Sequence, residues 1–172
     1  MTKFRALLMM CAISGFVGAG AINADAAKSK TSGAAQSAAP LTTDELVKLY
    51  HGRSWLWKDG AGYFSAKQRR FTAWSRESGS PSYADGRWFV TNPGKLCFKA
   101  KWHARAGAAS ALTCFSHRKK GRVVFQKREP DGEWYVFKTT PARTRDEYGK
   151  IRPGNYVSAR LKRIEARLSS GK

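Results

Sequence analysis

Acidic side chains are scarce in this chain: 12 aspartates and glutamates stand against 32 lysines and arginines, a formal charge of +20 over 172 residues. A surplus of that size repels basic partners and attracts polyanions, and it carries no information about fold. Cysteine and histidine are thin too, with three of each. They leave one grouping for a metal, Cys97, His103, Cys114 and His117. In it only Cys114 and His117 stand close, three apart, without the paired close spacings of a zinc site. Several short signatures are absent: the Gly-x-Ser-x-Gly elbow, the phosphate loop, the metalloprotease helix and the dinucleotide fingerprint. A long apolar run occurs at the start alone, from Ala6 to Ile22, and Gly15, Gly18 and Gly20 break it. It is too short and too interrupted for a membrane span.

That run has the marks of a secretory signal. Lys3 and Arg5 precede it and Ala24-Asp25-Ala26 closes it with small residues, so cleavage is expected near Ala26. Cys11 sits early, behind Met9 and Met10, which does not suit a lipoprotein. The mature chain then begins at Ala27, in the periplasm or outside the cell. It keeps 146 residues, enough for one domain, and a charge of +19, because two cations and one acid leave with the signal. Export removes cytoplasmic nucleic acid as a partner. The polyanions within reach are lipopolysaccharide, acidic polysaccharide, anionic headgroups and released DNA. In an oxidising space Cys97 and Cys114 are expected to form a disulfide worth about 3 kcal/mol.

Residues Ala27 to Pro40 are mostly Ala, Ser, Lys and Gly and read as a flexible linker. The domain, residues 41–172, opens with a short helix. Thr42 caps it, Glu45 completes a capping box, Leu41 and Leu46 form a staple, and Gly52 suits the exit. Eight short apolar runs follow: Trp55–Trp57, Tyr63–Phe64, Phe71–Trp74, Arg87–Val90, Leu96–Trp102, Leu112–Phe115, Val123–Phe125 and Trp134–Phe137. Turn residues separate them, and the pattern predicts a mainly β domain of about eight short antiparallel strands, closed into a small barrel or a sandwich. The phrase Asp-Gly followed by two aromatics recurs at Asp85–Phe89 and Asp131–Tyr135, with a looser copy at Asp59–Phe64. It reads as a turn whose returning strand puts one ring on each face. Thr139 to Glu147 looks irregular. Asn155 then caps an amphipathic C-terminal helix with Val157, Leu161, Ile164 and Leu168 on one stripe and Arg160, Lys162, Arg163 and Arg167 on the rest. Such a stripe packs on the domain or lies on an anionic membrane.

Six of these stretches, in this order, carry a resemblance: Gly52–Phe64, Ala84–Val90, Leu96-Cys97-Phe98, Trp102-His103, Thr113–Arg118 and Gly132–Phe137. Over roughly Leu41 to Phe137 the chain resembles an exported bacterial family known as "domain of unknown function 995". The resemblance implies a small exported domain of Gram-negative, often plant-associated bacteria, with the two cysteines as a recurring pair. It supplies no catalytic residues.

Catalysis finds little support in the residues themselves. His51, His103 and His117 are possible bases without an evident partner, and Asp59, Glu77, Asp85 and Glu133 are the carboxylates from which a glycosidase pair would be drawn. Binding has more to work with. Lys67, Arg69 and Arg70 form one basic cluster, Arg118, Lys119, Lys120 and Arg122 a second, and aromatic residues adjoin both. The expectation is a non-catalytic envelope protein that contacts an anionic cell-surface polymer through these cations, without cofactor or metal. The alternatives are a glycan-acting hydrolase and a partner of an acidic periplasmic protein.

Overall fold

The structure, a computed structural model, describes residues 19–170. Most of the expected signal peptide lies outside them. Thirteen regular elements follow one another: α1 (Ala19–Gln36), β1 (Ala39–Pro40), α2 (Thr43–Tyr50), β2 (Arg53–Trp57), β3 (Gly60–Phe64), β4 (Arg70–Ser75), β5 (Ser82–Thr91), β6 (Lys95–Ala104), β7 (Gly107–Lys120), β8 (Val123–Arg128), β9 (Tyr135–Thr139), β10 (Ile151–Pro153) and α3 (Ser158–Ser170).

The fold is mainly β. All ten strands are antiparallel and share one sheet, in the order β10-β2-β3-β4-β5-β6-β7-β8-β9, with β1 on the far end of β7. The sheet curls into a half-barrel, so a single layer wraps its own core where a closed barrel or a sandwich was expected. The eight apolar runs correspond to β2 through β9. The two further strands, β1 and β10, are two and three residues long and each ends in proline. That is too short for an alternation to register, and proline belongs at such edges.

Alternation sorts the side chains. One register row runs Trp55, Gly62, Ala73, Ala84, Trp102, and the next runs Trp57, Gly60, Ser75, Ser82. Directly opposed residues share a face of the sheet, so two indoles flank three small residues on the concave side. Phe71 and Phe98 stack there at 4.3 Å, and Trp55 meets Phe115 across the curl at 5.0 Å. Gly86 explains part of the bend. It was expected in a turn with Asp85 but lies in the middle of β5. A Cβ there would sit 2.1 Å from the Lys99 carbonyl oxygen, so only glycine permits β5 and β6 to approach so closely. The expected split of rings holds for the pair that follows it: Trp88 is buried inside and Phe89 lies outside, 37% exposed.

Helices close what the curl leaves open. The Thr42 hydroxyl accepts from the Glu45 amide at 3.2 Å, and the Glu45 carboxylate accepts from the Thr42 amide at 3.0 Å, the capping box read from sequence. Leu46, Leu49 and Tyr50 of this helix enter the core at one end of the half-barrel. Across the gap between β9 and β10, Glu147–Lys150 forms a 3-10 turn that touches β9 and β2. Buried Asp146 anchors its start, accepting from the Thr139 amide and hydroxyl at 2.8 and 2.7 Å and from the Arg143 amide at 2.9 Å. On the convex side α3 packs on β4 and β5 with Ile164 buried, and Val157 just before it is buried too, with Asn155 Oδ1 accepting from the Val157 and Ser158 amides. The stripe therefore lies against the domain.

Residues 27–40 correct the linker reading. They are helical to Gln36, and Ala35 and Ala38 are buried against Phe125, with Val123, Trp134 and Val136 around them. The segment carries almost no apolar mass of its own, and the sheet supplies the rings.

Cys97 and Cys114 stand opposite one another on β6 and β7 and are joined by a disulfide on the convex face. Replacing both by alanine is expected to lower stability by about 3 kcal/mol, read from the shift of the urea unfolding midpoint.

Candidate functional site

The register assembles a basic row that the linear sequence hides. Arg70 opposes Arg87, and Arg87 opposes Lys99, so three exposed cations lie side by side across β4, β5 and β6. Phe71, Gly86 and Ala100 form the adjacent inward row, which puts the cations on the convex face. The turn before β4 carries Lys67 and Arg69, both exposed. Arg87 Nη1 donates to the Gln68 carbonyl at 3.0 Å, and the Arg69 guanidinium sits 4.7 Å over the Trp88 ring. Gln68 and Arg69 have φ of 55° and 50°, an uncommon conformation for non-glycine residues. Like charges directly opposed across strands destabilise a sheet. The nearest acid in the register, Asp85 in the next outward row, bonds His103 Nε2 at 3.1 Å instead. Among the described residues no carboxylate pairs with Arg70, Arg87 or Lys99.

The second predicted cluster has a different character. Arg118 donates to the Gln36 carbonyl at 2.6 Å and lies 5.5 Å over Trp134; Lys119 pairs with Glu45 at 3.1 Å; Lys120 donates to Ser37 Oγ at 3.0 Å. These three side chains fasten α1 and α2 to the sheet. Arg122, in the turn between β7 and β8, is exposed. Sequence reasoning thus named Lys67, Arg69 and Arg70, and missed Arg87 and Lys99, which join them through strand pairing alone. The only sequence signal for the pairing was the β5–β6 hairpin at Asn92-Pro93-Gly94.

The candidate catalytic residues stay apart. His51 is the exposed C-terminal cap of α2, and His103 stacks on Tyr83 at 4.6 Å besides its bond to Asp85. Both cysteine sulfurs are held in the disulfide on the convex face, so the Cys97, His103, Cys114, His117 grouping does not assemble. Asp59 lies in the β2–β3 turn, where its backbone carbonyl accepts from Arg76, and Glu133 pairs with Lys28 at 3.3 Å. Glu77 is exposed after β4.

His117 is the residue whose surroundings are most unusual. It is buried with Tyr50 and Gln126. Its Nδ1 faces the Phe115 carbonyl at 3.1 Å, and Nε2 faces the Tyr50 hydroxyl at 2.8 Å and the Gln126 amide nitrogen at 2.7 Å. Gln126 also donates to Tyr50 at 2.8 Å, and the Tyr135 hydroxyl donates to Gln126 Oε1. Nδ1 thus donates and Nε2 accepts, which is the neutral ring. Burial holds its pKa down at about 3 and raises those of Tyr50 and Tyr135. With Tyr50, His117 and Gln126 buried, Tyr135 half-buried and every member partnered, the group is a structural tie between α2, β7, β8 and β9.

The chain belongs to the family described as protein of unknown function (DUF995), whose family model matches residues 17–157. The match takes in all of α1 and the chain up to the start of α3 as well as the stretch that carries the resemblance. Neither the curated proteins nor the solved structures contain a match to it.

The neutral His117 makes stability depend on acid. Its folded pKa of about 3 lies below the unfolded value of about 6.5. Its contribution is complete above pH 6.5 and is lost as pH falls toward 3, at up to about 1.4 kcal/mol per pH unit. Glu45, Glu129 and Asp146, whose pKa values the fold depresses, add their own losses only below about pH 4.5. Chemical unfolding at steps between pH 6.5 and 4.5 is expected to show falling stability, and His117→Gln is expected to flatten that slope.

Proposed function

We propose that this protein is an exported, non-catalytic binding module that holds an anionic cell-surface polymer, an acidic polysaccharide or lipopolysaccharide, on the convex face of β4–β6. The observation that carries the reading is the uncompensated row Arg70–Arg87–Lys99. Three cations at neighbouring positions on adjacent strands, about 4.8 Å apart, form a track that a chain of repeated anionic groups can follow. Arginine suits the task because its fork meets carboxylate or phosphate with two parallel hydrogen bonds. Lys67, exposed in the turn before β4, stands near the Arg70 end of the track, whereas Arg69 is turned to the inward Trp88 ring. At the β7 edge Leu112, next in the row and 61% exposed, offers an apolar contact to a sugar ring.

The mechanism is displacement of counterions. Each phosphate or carboxylate held by the row releases counterions condensed on the polymer, so affinity falls as salt rises. Selectivity between polymers comes from the spacing of their charges along the track, and no bond is made or broken. The signal peptide and the disulfide suit the same setting.

Binding of the oxidised protein to purified acidic polysaccharide and lipopolysaccharide over a salt series tests this, with a neutral glycan as control. Joint Arg70→Gln, Arg87→Gln and Lys99→Gln substitution is expected to weaken binding and to lower the log–log salt slope by about 2. Joint Arg118→Gln, Lys119→Gln and Lys120→Gln substitution is expected to change the slope less, since those side chains are engaged internally. A slope unchanged by the first triple variant would remove the row as the site.

A further inference from the structure

The concave side of the half-barrel holds a second, chemically opposite feature. With α2 filling one end, the other end opens into a cavity of about 410 Å³. Its walls are Trp55, Trp57, Phe71, Phe98, Trp102 and Phe115. The register explains the space: Gly62, Ala73 and Ala84 stand between Trp55 and Trp102 in one row, and glycine at position 60 makes room for the Trp57 ring. Volume and lining fall in the range of small-molecule sites.

The polar groups around this cavity divide into those already occupied and those left over. Ser75 Oγ accepts from the Glu77 amide, and Ser82 Oγ donates to the Ser75 carbonyl. Glu147 is used at both oxygens, by Trp55 Nε1 at 3.0 Å and Lys150 Nζ at 2.7 Å. Two charged side chains remain, Glu77 and Arg128, each exposed and each without an ion pair or side-chain hydrogen bond among the described residues, together with the neutral Thr113 hydroxyl and the Trp57 and Trp102 indole N–H groups. They come from opposite sides of the mouth, Glu77 following β4 and Arg128 ending β8 with three strands between. The convex polyanion track does not extend here, since Arg128 is the only cation in the lining.

From this we infer that the cup binds a small zwitterionic amphiphile. Its apolar or aromatic body lies against the indole and phenyl rings. A substituted ammonium group faces Glu77, aided by the negative faces of the neighbouring rings, and an acidic group meets the Arg128 guanidinium. Both charges of the ligand are matched, and its body displaces water from an apolar wall.

Calorimetric titration of the oxidised protein with 3-(benzyldimethylammonio)propanesulfonate tests the inference, with tryptophan fluorescence as a second readout. Benzyltrimethylammonium and 3-phenylpropanesulfonate serve as the cation-only and anion-only probes. The zwitterion is expected to bind about tenfold more tightly than either. Glu77→Gln is expected to reduce its affinity to that of the anion-only probe, and Arg128→Gln to that of the cation-only probe. Both residues are exposed, so the variants should unfold at the same urea midpoint as the parent, which separates a lost contact from a lost fold. Equal affinity for all three probes would overturn the inference. So would no heat and no fluorescence change up to millimolar zwitterion, or affinity indifferent to both substitutions.

Discussion

Tyr50 is the point on which the half-barrel turns. A curled sheet that does not close on itself leaves one end of its apolar face open, and α2 must fill it. Only eight residues long, this helix is too short to be stable alone and is held by its contacts. Tyr50 makes most of them: its ring lies 5.1 Å from Phe64 and 6.0 Å from Phe137, and its hydroxyl is the junction between His117 and Gln126. A phenol buried so deeply is tolerable because every polar atom beside it is satisfied. Those bonds in turn fix which way β7, β8 and β9 face. Replacing any one member would leave the others unpaired in a place water does not reach, and that asymmetry makes the group a constraint on the whole fold.

From that anchored end, the period of two does the rest. In β4 the first residue, Arg70, faces solvent and the second, Phe71, faces the core, and every strand through β7 repeats the division. The outer surface thereby collects cations and the inner one collects rings. Both sets share the same strands, and a one-residue slip of register would exchange them. The disulfide opposes such a slip, since Cys97 and Cys114 are register partners between the strands that carry Lys99 and Leu112.

Local chemistry was legible in the linear chain, and long-range pairing was not. Thr42 with Glu45, Asn155 and the eight apolar runs declare themselves within a few residues, the Cys97–Cys114 pair follows from there being two cysteines after the signal, and each has its counterpart in the fold. Asp85-Gly86 misled because Asp-Gly signals a turn by its backbone freedom, whereas Gly86 serves through its missing side chain at a close strand contact. Residues 27–40 misled for a related reason: alanines that bury themselves against Phe125 and Trp134 carry no apolar mass to announce it. Neither the Arg70–Arg87–Lys99 row nor the Trp55–Trp102 trough has any local signature. The first exists only once three strands have adopted one register, and the second once five have.

The distribution of acids explains why charge this lopsided produces a surface with structure. Glu45 caps α2 and binds Lys119, Asp146 holds the Thr139 and Arg143 amides, Glu147 accepts from an indole, and Glu129 accepts from Ser116 and pairs with Lys127. Each stands where a donor inside the fold needs an acceptor, so these acids are spent on architecture and cannot neutralise cations elsewhere. The cations of the convex row have no carboxylate partner among the described residues, and although Arg87 also donates to the Gln68 carbonyl, their charge is left to whatever approaches from solvent. Glu77 departs from the pattern among the acids that line a cavity. Its side chain supports no cap, turn or ring among the described residues, and it stands at the mouth of a cavity walled by six aromatic side chains. An unspent carboxylate is worth most where water is partly excluded and the neighbouring rings present negative faces, because there a cation gains from both at once. The same bookkeeping that leaves the outside of the sheet open to anions thus leaves its inside open to a positively charged group.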